Sequence, residues 1–460
     1  MLGKTAYKTI DNERETLVQL SRKIWEHPEG PYREYMACEW SARILRDAGF
    51  QVEMGAGGLP TAIKAVFGSG HPVIGFLGEY DALPGLNQKA GTSKEAATES
   101  EWGHGCGHNL LGAGHIGAVL GLRAEMVEKN LPGTIIYFGC PAEELLTGKV
   151  FMARAGVFDG LDVSAAWHPG NLNTVSTGNC SSLNTFKLHF KGRTAHAAGD
   201  PQNGRSALDA VELTNIGAQY LREHVTSDVR IHYAITDGGV APNIVPDKAS
   251  VWYYVRAATR EGVEDAYERM IKVAKGAAMM TETGFEIEFM GGCYPTLNNR
   301  VLVNTIHQCM TEAPRENWTA DETTFASELN KSLEESRQNT CALYGLPEDE
   351  QIHNGILPVQ SEGESGSTDV GDVAHLAPTV FFYTATSNIG APGHSWQVTS
   401  CSGMSIGEKG MIFASKAMAL FGLKILTNPS ILIEAKKEFD LSTGKKPYVC
   451  PIPEDVTIPL

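Results

Sequence analysis

The chain has 460 residues, and its 38 basic and 54 acidic side chains leave a net charge of −16 at pH 7, so we expect no nucleic-acid partner. Hydrophobic residues make up 42% of the chain and charged residues 20%, which is typical of a globular protein and excludes disordered, collagen-like and coiled-coil architectures. The length predicts roughly two or three domains.

The N-terminal twenty residues carry scattered charges and no apolar block, so we expect no secretory signal peptide. No run of residues approaches the roughly 20 apolar positions of a membrane helix. Nine cysteines without close spacing argue against a disulfide framework. We therefore expect a cytoplasmic protein without a membrane partner.

Two helical patterns begin the chain. Residues 17–24 repeat apolar positions on one face, and Met36, Trp40 and Ile44 predict a second helix with these three side chains on its buried face. Gly49 then suits the left-handed conformation in which many helices end.

From residue 61 onward, strand and helix patterns alternate. Strands are predicted at 61–67, 73–77, 134–139, 163–167 and 380–383, and helices at 109–130, near Val150 and at 410–426. The run Val73-Ile74-Gly75-Phe76-Leu77 is apolar throughout, as in a strand buried on both faces. This alternation predicts an α/β fold with a doubly wound, mainly parallel sheet.

Between residues 182 and 290 the order of elements changes. Strands are predicted at 186–190, 229–235, 249–256 and 285–289, and helices at 206–224 and 262–280. This is the β-α-β-β-α-β order of a ferredoxin-like α+β unit. We predict that residues 183–296 form an inserted domain and that residues 1–182 and 297–460 form the larger, catalytic domain.

Residues 311–364 are polar and acidic, with short helical patterns and few apolar positions. We predict a surface excursion of the larger domain, to which the sequence assigns no role.

Five polar clusters lie after predicted strands or before the long helix, where open α/β sheets place their ligand sites. They are Glu79-Tyr80-Asp81, His104-Gly105-Cys106-Gly107-His108, Glu143-Glu144, His168-Pro169 and Gly393-His394-Ser395-Trp396. Each cluster alone is more often structural, because lone histidines usually make structural hydrogen bonds and paired glutamates often begin helices. Together, their thiol, imidazole and carboxylate groups favour a zinc or manganese site over a calcium or magnesium site.

Glu143 and Glu144 are adjacent, so their side chains diverge and suit two different tasks. One can bind a metal while the other, beside a metal-bound water, acts as a general base in amide hydrolysis. The motifs of helix-borne zinc proteases, serine hydrolases and nucleotide-binding loops are not found.

Six short motifs follow one another along the chain. They are Asp81-Ala82-Leu83-Pro84, Gly105-Cys106-Gly107-His108-Asn109, Pro141-Ala142-Glu143-Glu144, Trp167-His168-Pro169, Gly192-Arg193-Thr194-Ala195-His196-Ala197 and Gly393-His394. As an ordered set they resemble the metallopeptidase family of glutamate carboxypeptidase and aminoacylase. The resemblance covers most of the chain and is strongest to the branch of N-acyl amino acid and p-aminobenzoyl-glutamate amidohydrolases.

This resemblance implies two divalent metal ions, for which the ligands are Cys106, His108, Glu144, His168 and His394. It also implies that Glu143 is the general base and that Asp81 orients a ligand histidine. Many zinc-dependent relatives have histidine where this chain has Glu79. Manganese is therefore the favoured ion, and zinc is the alternative.

In the family the smaller domain is a lid that also forms the dimer interface. The resemblance implies that His196 stabilises the oxyanion in the partner subunit's site and that Asn243 and Arg256 bind the substrate carboxylate. From the residues alone, His196 is a turn residue and Arg256 a surface charge at the end of a strand. We expect a homodimer, with a heterodimer of related subunits as the alternative.

The expected reaction is hydrolysis of the amide bond of an N-acyl or N-aroyl amino acid, such as p-aminobenzoyl-glutamate. A dipeptidase or carboxypeptidase of the same family is one alternative, and a catalytically silent subunit of a two-subunit hydrolase is another. A thiol enzyme with Cys106 as nucleophile, activated by His104 or His108, is a third.

Overall fold

The computed structural model describes residues 2–363 and 366–460. Its strands are β1 (Gln51–Met54), β2 (Ile63–Ser69), β3 (Val73–Glu79), β4 (Leu83–Pro84), β5 (Trp102–Gly103), β6 (Gly133–Cys140), β7 (Val163–Gly170), β8 (Thr174–Val175), β9 (Ser182–Lys191), β10 (Arg230–Asp237), β11 (Lys248–Ala257), β12 (Gly284–Cys293) and β13 (Thr379–Ala385). Its α-helices are α1 (Lys4–Asn12), α2 (Arg14–Glu26), α3 (Tyr35–Asp47), α4 (His108–Lys129), α5 (Gly148–Arg154), α6 (Ala207–Leu221), α7 (Arg260–Thr281), α8 (Arg300–Glu312), α9 (Ala320–Asn330), α10 (Glu334–Tyr344), α11 (Val370–Ala374), α12 (Trp396–Ser402), α13 (Ser405–Thr427) and α14 (Pro429–Ser442).

A seven-stranded sheet forms the larger part of the molecule. Its strand order is β1-β2-β6-β3-β7-β13-β8. β3 pairs in parallel with β6 and β7, and β13 pairs in parallel with β7. The outer strands β1, β2 and β8 join antiparallel. The four central strands are therefore parallel, which confirms the predicted mainly parallel sheet.

Helices cover both faces of this large sheet. Along β6, Ile135 and Tyr137 belong to a buried cluster that includes α4 and α13, whereas Ile136 and Phe138 belong to a second cluster that includes α5. Successive side chains of a strand point to opposite faces, so the two clusters lie on opposite sides of the sheet. This doubly wound arrangement explains why the central strands are apolar throughout.

A four-stranded antiparallel sheet forms the second unit. Its order is β10-β11-β9-β12, and α6 and α7 pack on it around a separate apolar cluster. The chain order β9-α6-β10-β11-α7-β12 is the predicted ferredoxin-like order. β10 is an edge strand, and most of its residues are exposed. The domain boundaries themselves stay a prediction.

Helix α3 buries a different face from the predicted one. Met36 is 40% exposed, and Trp40 and Ile44 are only partly buried. The buried face instead includes Ala42 and Leu45 together with other small side chains. Small residues let the helix approach the core closely, so the large side chains lie at its margin. The helix was predicted correctly and its buried face wrongly.

The segment after α8 has more core than the sequence predicted. Ala326 and Leu329 of α9 pack with Ile352 against Cys401 of α12 and Ile406 near the start of α13. A second small cluster joins the segment to loops that follow β7 and β13, and it comprises Leu172, Cys341, Leu357 and Ile389. The segment is therefore docked on the carboxyl edge of the large sheet. Glu364, the last residue of the predicted excursion, lies outside the described residues.

Two helices, α4 and α13, are long and apolar enough by length and composition to cross a membrane. The prediction that no stretch of the chain approaches the length and apolar composition of a membrane helix was therefore wrong. In each helix, 83% of the most apolar 18-residue window is buried inside the protein, because the two helices pack against each other and the sheet. Burial in the core accounts for their apolar composition.

Candidate metal centre

Polar side chains meet at the carboxyl edge of the four parallel strands. The strands and the loops after them supply Glu79, Glu143, Glu144, His168 and His394, and the start of α4 with its preceding loop supplies Cys106 and His108. The carboxyl edge is where open parallel sheets bind ligands. The structure thus gathers residues from distant parts of the chain.

A strained turn presents the two glutamates. Ala142 and Leu146, on either side of this turn, have positive φ angles of 55° and 56°. Residues other than glycine rarely adopt such angles. The backbone N–H of Ala142 donates to the buried carboxylate of Glu34 at 2.8 Å. The N–H of Glu144 donates to Asp81 at 2.9 Å. These bonds hold the backbone of the turn from which the two glutamate side chains project.

The five predicted ligands converge. Cys106 Sγ lies 3.2 Å from His168 Nε2. One carboxylate oxygen of Glu144 lies 4.0 Å from His108 Nε2, and the other lies 3.5 Å from His394 Nε2. Ligands bound about 2.0–2.3 Å from a shared cation are separated from one another by roughly 3–4 Å. The spacing suits metal binding, and the role of each residue as a ligand stays a prediction.

Two histidines are oriented with Nε2 toward the centre. His108 Nδ1 lies 2.8 Å from Asp81 Oδ1, and His168 Nδ1 lies 2.7 Å from the carbonyl oxygen of Pro169. These acceptors assign the proton of each ring to Nδ1, which leaves the Nε2 lone pair available to a metal. Asp81 therefore lies in the position from which it was expected to orient a histidine.

A fully buried set of charges lies beside the centre. Lys149 Nζ is 2.5 Å from Glu79 Oε1 and 2.6 Å from Asp369 Oδ1. The second oxygen of Glu79 is 3.4 Å from His108 Nε2. Together with His108 and Glu143, Glu79 forms a further group of closely spaced potential ligands. Glu79 thus belongs to the centre, and Lys149 holds one of its two oxygens.

Burial and crowding shift the protonation of the carboxyl groups. Burial, and then the charge of a neighbouring carboxylate, raises the pKa of Glu143 to about 7. Burial also raises the pKa of Glu144 well above its usual value. Burial favours a higher pKa for Asp81, but the positive charge that His108 carries when Nε2 is also protonated, and the hydrogen bond of its Nδ1, outweigh this effect and hold the pKa of Asp81 below its usual value. The centre has more buried acceptors than cationic groups to neutralise them.

The residues present fit divalent cations. Glu79 Oε2, His108 Nε2 and Glu144 Oε1 are buried without a hydrogen-bond partner among residues 2–363 and 366–460. An unpaired buried polar atom costs roughly 1–3 kcal/mol. All three atoms are metal-ligand types at the same centre, and a cation would satisfy them together. Burial raises the pKa of the Cys106 thiol, which disfavours a free thiolate nucleophile.

Of the residues predicted to act on the substrate, Arg256 lies at the centre, whereas His196 and Asn243 do not. Arg256 lines a cavity of about 630 Å³ that also contacts Cys106, Glu143 and His394. Its guanidinium donates to Ser367 Oγ at 2.7 Å and lies over a neighbouring tyrosine ring. Arg256 is therefore partly buried and lines the cavity beside the centre.

His196 and Asn243 do not join the centre of this chain. Both side chains are exposed, and they belong to neighbouring loops joined by a bridge between His196 and Ile244. His196 Nδ1 accepts from the backbone N–H groups of Ala198 and Gly199, at 3.2 and 3.0 Å. The structure thus leaves these two residues facing outward from the second unit.

Sequence reasoning missed three buried charged residues that support the site: Glu34, Lys149 and Asp369. Glu34 fixes the glutamate turn, and Lys149 with Asp369 flanks Glu79. Each comes from a segment without a motif of its own. Charged side chains are mostly exposed in folded proteins, so the residue types alone predict exposure for these three. The one available signal was the apolar surroundings of Lys149 in Lys149-Val150-Phe151-Met152, which place a charge inside a buried stretch.

Comparison with known proteins gives a family match. The model of peptidase family M20/M25/M40 matches residues 75–358. A p-aminobenzoyl-glutamate hydrolase subunit of Escherichia coli (strain K12) is 38% identical over 469 aligned residues, which cover 97% of this chain and 97% of that protein. The Xaa-Arg dipeptidase of Mus musculus is 29% identical, covering 95% of this chain and 92% of its own length.

The fold is also found among solved structures. The YXEP protein of Bacillus subtilis, described as a dinuclear metal binding peptidase from the M20 family, superposes with a TM-score of 0.59 at 19% identity. The superposition covers 91% of this chain and 99% of that one. The two-sheet architecture is therefore shared over nearly the whole length.

Proposed function

Because the chain belongs to peptidase family M20/M25/M40 and is a metal-dependent amide hydrolase, we propose that it cleaves the amide bond of an N-acyl or N-aroyl amino acid. The observation that carries this proposal is Arg256. Among the described residues that line the 630 Å³ cavity at the centre, it is the only lysine or arginine. A guanidinium suits the free carboxylate of an amino acid. A relative whose name describes it as part of a p-aminobenzoyl-glutamate hydrolase supports an aroyl-glutamate as substrate.

Cys106, His108, Glu144, His168 and His394 would hold two divalent cations, with manganese favoured and zinc possible. When bound, the cations supply a Lewis acid for the amide carbonyl and lower the pKa of water. The chain's own thiol, imidazoles and carboxylates suit both metals. Glu79, on which Lys149 already holds one oxygen, would contribute at most its other oxygen to a cation.

Glu143 is the proposed general base. Burial and the charge of Glu79 raise its pKa to about 7 in the absence of cations. The carboxylate takes a proton from the attacking water and returns it to the leaving nitrogen. Glu144 is directed away from this task, because its backbone is anchored on Asp81 and its oxygens face His108 and His394.

We further propose a homodimer in which His196 and Asn243 serve the partner's centre. Both side chains are exposed in the single chain, and β10 presents Tyr233 and Ile235, which are 40% and 47% exposed, on an unpaired sheet edge. Such an edge favours pairing with another strand. A heterodimer is the alternative, since the relative's name describes one subunit of a hydrolase.

A dipeptidase is the second candidate function. It is supported by the 29% identity to a protein named Xaa-Arg dipeptidase over 95% of this chain. A dipeptide also offers an amide bond and a free carboxylate to Arg256.

The test uses the purified chain with added Mn²⁺ on p-aminobenzoyl-glutamate, N-acetyl-glutamate and Xaa-Arg dipeptides. We expect hydrolysis of the first to be fastest, complete loss with a chelator, and recovery when Mn²⁺ is returned. Zn²⁺ is added in parallel to compare the two metals. Faster dipeptide cleavage would favour the second candidate, and no cleavage by a metal-loaded chain would support a silent subunit. Activity that survives chelation and is lost on thiol alkylation would refute the metal mechanism.

A further inference from the structure

Two cavities share a wall at the metal centre. The larger, of about 630 Å³, contains Arg256, and the smaller has a volume of about 250 Å³. Both are lined by Cys106, His168, Tyr383 and Gly393. A substrate whose amide lies at Cys106 and His168 therefore has space for its two halves in two different cavities.

The smaller cavity has an uncharged lining. Among the described residues that line it there is no aspartate, glutamate, lysine or arginine. Thr386 and Ser387 both donate their hydroxyl groups to the carbonyl oxygen of Gly170, at 3.1 and 3.4 Å. The side-chain amide of Asn171 donates to the carbonyl of Ala391 at 3.4 Å. These three polar groups are already bonded within the protein, and the hydroxyl of Thr174, which has no hydrogen-bond partner among the described residues, is neutral. The lining therefore offers no opposite charge to compensate a charged ligand.

Rings and aliphatic groups form much of the rest of the lining. Tyr344 and Tyr383 contribute aromatic side chains, and Leu172 and Val398 contribute aliphatic ones. A cavity of about 150 Å³ with an apolar lining is large enough for benzene. The 250 Å³ available here therefore accommodates an aromatic ring with its attached carbonyl.

Tyr344 reaches this cavity from the segment to which the sequence assigned no role. It is the last residue of α10, which ends at Gly345 with a left-handed φ of 64°. Cys341, one turn earlier, packs in a small apolar cluster with Leu172 and Ile389 from the loops after β7 and β13. This packing fixes the end of α10 against the carboxyl edge of the large sheet, and Tyr344 is half-buried there.

We propose that the smaller cavity binds the uncharged acyl half of the substrate, that the larger binds the amino acid with its carboxylate at Arg256, and that Tyr344 determines the preference for an aromatic acyl group. This inference rests on the proposed function and specifies its substrate class. It also gives the segment of residues 311–363 a role, because its Tyr344 lines the acyl cavity.

The test compares the wild type with Tyr344→Ala, Tyr344→Phe and Leu343→Ala. Leu343 is the matched control, because it is the neighbouring residue of α10 and is 76% exposed. N-benzoyl-glutamate and N-acetyl-glutamate differ only in the acyl group, and N-benzoyl-glycine changes only the amino acid. Binding of benzamide to the metal-free proteins, followed by saturation-transfer NMR, gives a readout that does not depend on turnover.

We expect Tyr344→Ala to lower the ratio of kcat/KM for the benzoyl over the acetyl substrate roughly ten-fold and to weaken benzamide binding. Tyr344→Phe keeps the ring and should retain most of the preference, and Leu343→Ala should match the wild type. If Tyr344→Ala instead changes the ratio between glutamate and glycine substrates, the two halves are reversed and the inference is wrong. An unchanged ratio with unchanged benzamide binding also overturns it.

The two proposals can fail separately. If the wild type cleaves none of the three substrates, the proposed function fails. Benzamide binding that depends on Tyr344 would then still support the cavity as a site for a neutral aromatic group. If the wild type cleaves them and Tyr344→Ala has no selective effect, the proposed function stands and the cavity assignment fails.

Discussion

The two sheets of the molecule present their predicted site residues in opposite ways. At the carboxyl edge of the large sheet, Cys106, His108 and Glu144 lie close together, and buried charges such as Lys149 surround them. On the small sheet's unit, His196 and Asn243 are exposed and line neither cavity at the centre. The first region brings its predicted residues together within a single chain, and the second leaves these two predicted residues away from the centre.

This difference teaches which parts of the reaction one chain can perform. The large-sheet region has its potential metal ligands and the proposed base Glu143 already in place, and hydrogen bonds orient the rings of His108 and His168. The small-sheet unit contributes Arg256 to the same centre, but its His196 acts only if another chain or a closing motion brings it to a substrate. The experiments below are designed to separate these two contributions.

The largest effect is expected at the proposed base. Glu143→Ala should reduce kcat by on the order of 10²–10⁴, because the neighbouring carboxylates of Glu79 and Glu144 are directed to Lys149 and to the histidines of the centre. Metal content should stay at the wild-type level, since Glu143 is not among the proposed ligands. Steady-state kinetics and metal analysis of the same preparation measure the two quantities.

Glu143→Gln is the companion variant, because it keeps the size of the side chain and removes its basicity. It should lose activity to a similar extent if proton transfer is the role of Glu143. A variant that binds the full amount of metal and retains near-normal activity would exclude Glu143 as the base.

A smaller loss is expected from His196→Ala. Removing one donor to a developing oxyanion lowers kcat by about 10²–10³. If His196 acts on the partner, mixing Glu143→Ala with His196→Ala chains should restore activity. Half of randomly mixed dimers contain both variants, and each of these has one intact site, so about a quarter of the wild-type activity should return.

The mixing experiment distinguishes the alternatives. Each variant alone is the control, and neither should recover activity when it is unfolded and refolded by itself. Failure of the mixture to exceed the two single variants, although mixed dimers form, would show that His196 serves its own chain or has no part in the reaction.

The sequence predicted the large sheet well because its strands are buried on both faces and carry continuous apolar runs, as in Val73-Ile74-Gly75-Phe76-Leu77. It also placed the site at the carboxyl edge, because polar residues directly follow those runs. The convergence of Cys106 with His394 followed from the motif order in the family, since no local pattern relates residues so far apart in the chain.

Tertiary contacts determined what the sequence did not predict. Periodicity located α3 but not its face, because small residues such as Ala42 pack more closely than Trp40. Lys149 is buried only because Glu79 and Asp369 meet it from two other segments. Tyr344 becomes part of a cavity through the packing of Cys341, and a polar segment gives no sign of such a contact.

The smallest effect concerns pH and histidines that are not proposed ligands. His353 is buried in the segment docked on the large sheet, where its Nδ1 accepts the backbone N–H of Asn173 at 3.1 Å. Burial, and then the charge of Arg315, lowers the pKa of His353 to about 4. The unfolded chain binds the proton at about pH 6.5, so stability contributed by neutral His353 is present above that pH and is lost as the pH falls toward 4. Between pH 7 and pH 5 the free energy of unfolding should fall by about 2 kcal/mol through this group.

Urea unfolding of the wild type and of His353→Asn at both pH values measures this contribution. It equals the difference between the stability that the wild type loses from pH 7 to pH 5 and the stability that the variant loses. The control is His224→Asn, which changes an exposed histidine next to the small sheet and should lose as much stability as the wild type. Equal losses in the wild type and His353→Asn would show that the buried ring is not what makes the docked segment sensitive to acid.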